Sequence, residues 1–173
     1  MLKILWPEIY QKLGIKPVIN ARSWATALGG SLMPREVLDA MEDSSKSFID
    51  IVELHKIAGK IIAKICKSEA AMVTSGCAAG QVLMSAACIT GNDKNLIKQL
   101  PNPSTIRKEI LIFKGQRNHY DSQFEMTGGV IKEFGTTERA IPEDLHKNID
   151  DKTCAIAFVD YPFSNLGLGL EKT

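Results

Sequence analysis

The sequence predicts an α/β fold, a mostly parallel sheet flanked by helices, and three observations lead there. Short runs rich in β-branched and aromatic residues, Glu109 to Phe113, Val130 to Phe134 and Thr153 to Val159, recur with helical or turn-like stretches between them. A further apolar run, Ala70 to Thr74, breaks at Ser75-Gly76 and resumes as a stretch of small residues, a strand-to-helix junction. The chain has 173 residues and is 45% apolar, enough to bury one proper core. Strands alternating with helices imply crossover connections and parallel pairing.

Taken in order, Pro34 suits a helix start, and Val37, Leu38 and Met41, continued by Ser44 to Phe48, give an apolar face. A second helix follows, with Leu54, Ile57, Ala58, Ile61, Ile62 and Ile65 at three-and-four spacing. Lys56, Lys60 and Lys64 hold its opposite, solvated face. Ala70 to Thr74 reads as a strand, Cys77 to Ile89 as a helix closed by Thr90-Gly91, and Asn92 to Thr105, with Pro101 and Pro103, as loop. Pro142 to Asn148 is helical before the third strand run. No repeat and no low-complexity segment is present.

Lys plus Arg total 21 against 20 Asp plus Glu, a net charge of +1. Such a balance, with no long run of like charge, argues against a polyanion binder. The first residues, carrying Lys3, Glu8 and Lys12, lack a signal-peptide core, and the most apolar stretch, Met72 to Thr90, is interrupted by Thr74, Ser75, Gln81 and Ser85. Cys66, Cys77, Cys88 and Cys154 are too far apart for a C-x-x-C pair and are expected to be reduced and mostly buried, as in a cytoplasmic protein. No metal site is expected.

Chemistry concentrates in the loops that follow strand-like runs. In Val73-Thr74-Ser75-Gly76-Cys77-Ala78-Ala79-Gly80, a helix opens directly after Ser-Gly, which leaves backbone N–H groups at the positive end of its dipole. That suits a phosphate, although a close-packed turn of small residues fits equally well, and neither established nucleotide loop pattern is present. Lys114-Gly115-Gln116-Arg117-Asn118-His119-Tyr120-Asp121 follows the next strand, and in an open parallel sheet both loops would face one crevice. His119 or Tyr120 offers a ring to stack on a flat cofactor and Arg117 a bidentate anion contact; the alternative pairs Arg117 with Asp121 at the surface. Asn20-Ala21-Arg22 and Leu28-Gly29-Gly30-Ser31 mark irregular backbone before a helix. Asp160 to Asn165 again follows a strand. His55 and His146 fall on helical surface patterns and carry no expected role.

Together these segments, in this order with Pro17-Val18-Ile19 leading and Glu69-Ala70-Ala71-Met72 before the Ser-Gly turn, resemble the N-terminal half of the pyridoxal-phosphate (PLP) enzymes related to selenocysteine synthase (L-seryl-tRNA(Sec) selenium transferase). Within that group the likeness is closer to the D-glucosaminate-6-phosphate ammonia-lyase branch. The resemblance implies the aspartate-aminotransferase-like fold (fold type I), with active sites at a homodimer interface. It would make residues 1–67 an N-terminal helical segment, part interface and part small domain, and residues 68–173 the first part of the PLP-binding large domain. It assigns Ser75, Gly76, Cys77 and Ala78 to the cofactor phosphate, and His119, with Tyr120 competing, to the cofactor ring. Asn20, Arg22, Ser31 and Arg117 fall to the substrate, and Asn165 to the neighbourhood of the cofactor's phenolic oxygen.

Family members are about twice as long, and their cofactor-carrying lysine and ring-nitrogen aspartate lie beyond the matching region. Lys114 and Lys172 read as surface lysines, so the chain is expected to hold no catalytic lysine and to be inactive by itself, with a separate C-terminal half as its expected partner. The resemblance implies a lyase or transferase acting on a small amino-acid substrate by α,β-elimination or deamination, as a homodimer or larger homo-oligomer. A non-catalytic dimerisation remnant is the alternative. Selenium transfer on seryl-tRNA ranks lower, because the charge balance lacks a basic excess.

Overall fold

A computed structural model describes residues 7–22 and 24–159. Two compact units divide the chain, Met1–Ile57 and Ala58–Thr173.

The first unit carries α1 (Glu8–Lys12), a 3-10 turn (Thr26–Leu28) and α2 (Arg35–Ser44). Pro34 stands at the N-cap of α2, as its fixed φ favours, and the helix stops at Ser44 rather than running on to Phe48. Gly29 and Gly30 both adopt positive φ (85° and 76°), the left-handed backbone that the paired glycines foretell. None of the residues of α1 or α2 is buried.

Helix α3 (Ile51–Cys66) leads into the second unit, followed by α4 (Cys77–Thr90) and α5 (Lys94–Gln99). Strand β1 (Glu109–Phe113) comes next, then two 3-10 turns (Lys114–Gln116, His119–Asp121) and α6 (Ser122–Glu125). Strand β2 (Val130–Phe134), α7 (Pro142–His146) and β3 (Thr153–Ala157) complete the order. The sheet has three strands in the order β2-β1-β3, and both pairings are parallel. Phe113 and Phe134 sit opposite each other in register, and Ile112 pairs with Ala157.

Alternation along β1 sends Leu111 and Phe113 to one face and Ile110 and Ile112 to the other. On the first face Leu111 and Phe113 form a core with Phe134, Ala140 and Leu145 of α7, the two phenyl centroids 6.2 Å apart. On the second, Ile110 borders a groove with Met84 and Ser85 of α4 and Phe124 of α6. Ser85 is buried there and satisfied, its hydroxyl 2.7 Å from Thr127 Oγ1 and 3.1 Å from the Phe124 carbonyl to which it donates.

Three expectations need correction. Ala70 to Thr74 is not a strand among the described residues. The Ala71 carbonyl lies so close to Gly59 of α3 that a Cβ at position 59 would fall on it, so this stretch rests on a helix instead of joining a ladder. Asn92 to Thr105 is not all loop, because Asp93 caps α5, accepting from the N–H groups of Asn95 (2.7 Å) and Leu96 (3.3 Å). The cysteines are free but not mostly buried: Cys66, Cys77 and Cys88 are exposed and Cys154 half-buried, its thiol pKa pushed up by burial. Cys66 and Cys77 sit at helix ends, and Cys88 borders the open groove between α4 and β3.

Among the described residues no helix is long and apolar enough to cross a membrane, and no cluster of His, Cys, Asp and Glu is arranged to hold a metal ion.

Candidate functional site

Gly76 is the N-cap of α4 with φ 137° and ψ 174°, a backbone combination open essentially to glycine alone. The ladder of α4 begins with Gly80 N–H donating to the Gly76 carbonyl at 3.0 Å, so the N–H groups of Cys77, Ala78 and Ala79 precede it, and no side chain caps them. The first turn carries no acidic residue. Thr74 Oγ1 donates to the Gly76 carbonyl (3.0 Å), whereas the Ser75 hydroxyl has no partner among the described residues. Ser75, Gly76, Cys77 and Ala78 are all exposed, and a Cβ built on Gly76 meets open space. A phosphate oxyanion fits this arrangement, which supplies outward N–H donors, a free hydroxyl and a favourable dipole end with no competing carboxylate.

The loop after β1 is organised by its own side chains. Asn118 Oδ1 accepts from Tyr120 N–H (2.9 Å), while buried Asp121 accepts from Asn118 N–H (3.0 Å), a capping box around the 3-10 turn. His119 and Tyr120 sit side by side at the surface with ring centroids 3.9 Å apart and planes inclined by 40°. Arg117 donates from Nε to Asp121 Oδ2 and from a terminal nitrogen to Glu133 Oε1, both at 2.6 Å. The Asp121 hydrogen bond first, with Glu133 adding to it, holds the guanidinium pKa above its ordinary value. Lys114 Nζ joins Glu133 at 3.5 Å and is half exposed, an ordinary surface ion pair.

Both segments lie in the second unit. Loop 114–121 leaves the carboxyl end of β1, and Gln81 of α4 borders a groove of about 280 Å³ together with Phe158 and Val159, just past β3. No hydrogen bond joins residues 75–78 to His119 or Tyr120 among the described residues. Asn20, Arg22 and Ser31 lie exposed in the first unit, where Asn20 Oδ1 accepts from Arg22 N–H at 2.8 Å. Asp160 to Asn165 and Lys172 lie outside the described residues.

Two side chains of the loop are buried where the sequence suggested for Asp121 only a surface pairing with Arg117 and for Gln116 no role. Asp121 had a usable signal, since Asn118 with an acid three positions on has capping-box spacing. Gln116, 4% exposed, had none, because its partner is the backbone of Val159, far along the chain.

No family model matches the chain. Over 157 residues, 88% of the chain and 42% of the relative, it is 32% identical to D-glucosaminate-6-phosphate ammonia lyase of Salmonella typhimurium. Over 155 residues, 87% of the chain and 39% of the relative, it is 30% identical to 5'-C-glycyluridine monooxygenase-decarboxylase of a Streptomyces species. A solved structure of D-glucosaminate-6-phosphate ammonia-lyase superimposes with a TM-score of 0.85 at 31% identity, covering 90% of this chain and 43% of that one. The chain thus spans about two fifths of the length of the relatives it matches, and through nearly all of its own length it is similar, in sequence and in fold, to D-glucosaminate-6-phosphate ammonia lyase.

Proposed function

We propose that this chain forms the phosphate-gripping and ring-facing part of a pyridoxal-phosphate-dependent lyase of the fold type I class. It would work in the cytoplasm on a small amino-acid substrate, by α,β-elimination or deamination. The observation that carries the reading is the uncapped, acid-free start of α4 at Gly76, on a chain whose homologues include an ammonia lyase. Bound there, pyridoxal phosphate would supply an electron sink for the substrate's α-carbon.

The N–H groups of Cys77 and Ala78 and the Ser75 hydroxyl would hold the phosphate, and His119 or Tyr120 would lie against the ring. Arg117 would meet a substrate carboxylate by exchanging one of its two present carboxylate partners, and Asn20, Arg22 and Ser31 would add substrate contacts. The two relatives are named for different reactions, yet both align with this same stretch. That supports cofactor binding as its shared task, with reaction choice set elsewhere. The exposed apolar residues of the first unit, among them Leu32, Phe48 and Val52, support a homodimer or larger homo-oligomer.

The test compares pyridoxal phosphate with phosphate-free pyridoxal by equilibrium dialysis against the purified chain. Pyridoxal phosphate should be retained more tightly and displaced by inorganic phosphate. Gly76→Ala, forced into a backbone region that costs of order 1–3 kcal/mol, should weaken retention about tenfold or more. Equal retention of the two compounds would sink the phosphate site.

A further inference from the structure

Strand β1 ends at Phe113 and β3 at Ala157, but pairing between these two stretches of chain continues past both. Beyond β3, Gln116 Nε2 donates to the Val159 carbonyl at 2.7 Å, and Val159 N–H donates to Gln116 Oε1 at 3.2 Å. A carboxamide that gives one donor and one acceptor to a single residue's backbone copies the paired bonds of a ladder. Gln116 is buried, which limits competition from water for both bonds.

The same residue reaches the ring-bearing turn. The Gln116 carbonyl accepts from Asn118 Nδ2 (3.1 Å), and Asn118 Oδ1 in turn accepts from Tyr120 N–H (2.9 Å). An unbroken series of hydrogen bonds therefore runs from the Val159 backbone through Gln116 and Asn118 to Tyr120. We infer that Gln116 is a positioning residue: it couples the end of β3 to the turn that carries His119 and Tyr120, so that the rings move with the path the chain takes through Val159. The inference rests on the reading of those rings as facing a cofactor, and it adds a residue that acts on them from behind.

Gln116→Glu provides a switch. Ionised, the new carboxylate accepts from Val159 N–H but has no proton for the Val159 carbonyl; protonated, it donates again and reproduces the carboxamide. A glutamate titrates at about 4.3 in water, and burial moves it upward. Amide proton–nitrogen spectra of the full chain, recorded without cofactor across mildly acidic to neutral pH, give the readout. In Gln116→Glu, Val159 and Tyr120 should share one transition, with one midpoint, that wild type lacks; any change common to both proteins is subtracted. In Gln116→Leu both amides should stay at the displaced positions at every pH.

A Val159 transition that leaves Tyr120 as in wild type would reduce Gln116 to a fastener of β3 and overturn the coupling. So would a Gln116→Leu spectrum with Val159 unmoved. Should Gln116→Leu lose its β1 and β2 amide signals by unfolding, the acid-side spectrum of Gln116→Glu decides, since failure to recover the wild-type positions there also overturns the coupling. Because no cofactor is present, the coupling and the phosphate site stand or fall separately.

Discussion

Phe48 and Leu111 are both large and apolar, yet Phe48 is fully exposed and Leu111 has no accessible surface. The contrast extends beyond this pair. Leu32, Val37, Leu38 and Met41 of the first unit are all exposed, whereas Ile110 to Phe113 of the second are all buried. Residue type does not separate the two sets; layering does. Strand β1 has a partner strand on each side and side chains against each face, while the periodic apolar residues of α2 mark a stripe with no covering layer among the described residues. Amphipathic spacing thus encodes which side of a helix is to be covered and leaves the cover unspecified.

The contrast can be broken most sharply at Leu111. Leu111→Ala should cost about 2–5 kcal/mol, a large part of the ~5–15 kcal/mol that holds a typical domain, and should lower the urea midpoint followed by circular dichroism. Asp121→Ala comes next. It strips Arg117 Nε and Asn118 N–H of their shared acceptor, and after allowance for solvent around the half-exposed Arg117 the loss should be about 1–2 kcal/mol in the same assay. Asp121→Asn, which can still accept one of those bonds, should recover part of it. Phe48→Ser should be smallest, within about 0.5 kcal/mol for the single chain. Its effect belongs in sedimentation velocity, where self-association should weaken if the first unit forms the oligomer interface.

The fold was legible where its signal is local. Glu109 to Phe113 and Val130 to Phe134 fall on β1 and β2 to the residue, because a short β-branched run bounded by polar residues has few other uses. Ala70 to Thr74 has the same local signal and does not form a strand, since strand formation needs a neighbour and this stretch meets α3 instead. Helix α5 was hidden by the prolines after it, which outweighed the Asp93 cap before it. At the candidate site, the Ser75-Gly76 junction could be read because glycine geometry and helix onset are both written in neighbouring residues. The double engagement of Arg117 was half legible. Asp121 is four positions away, but Glu133 arrives only once β2 lies beside β1.

The strand order β2-β1-β3 also sets a schedule. The central strand is made first, and both of its neighbours come later in the chain. At ~5–20 residues per second on a ribosome, the stretch from Phe113 to Phe134 takes about 1–4 s, and β3 takes longer still. For that interval Ile110-Leu111-Ile112-Phe113, a segment with no charge and no proline, waits for both strands that flank it among the described residues. Lys108 and Glu109, placed just before it, have the charge and position of gatekeepers, and replacing both with neutral residues should show first as lost soluble yield.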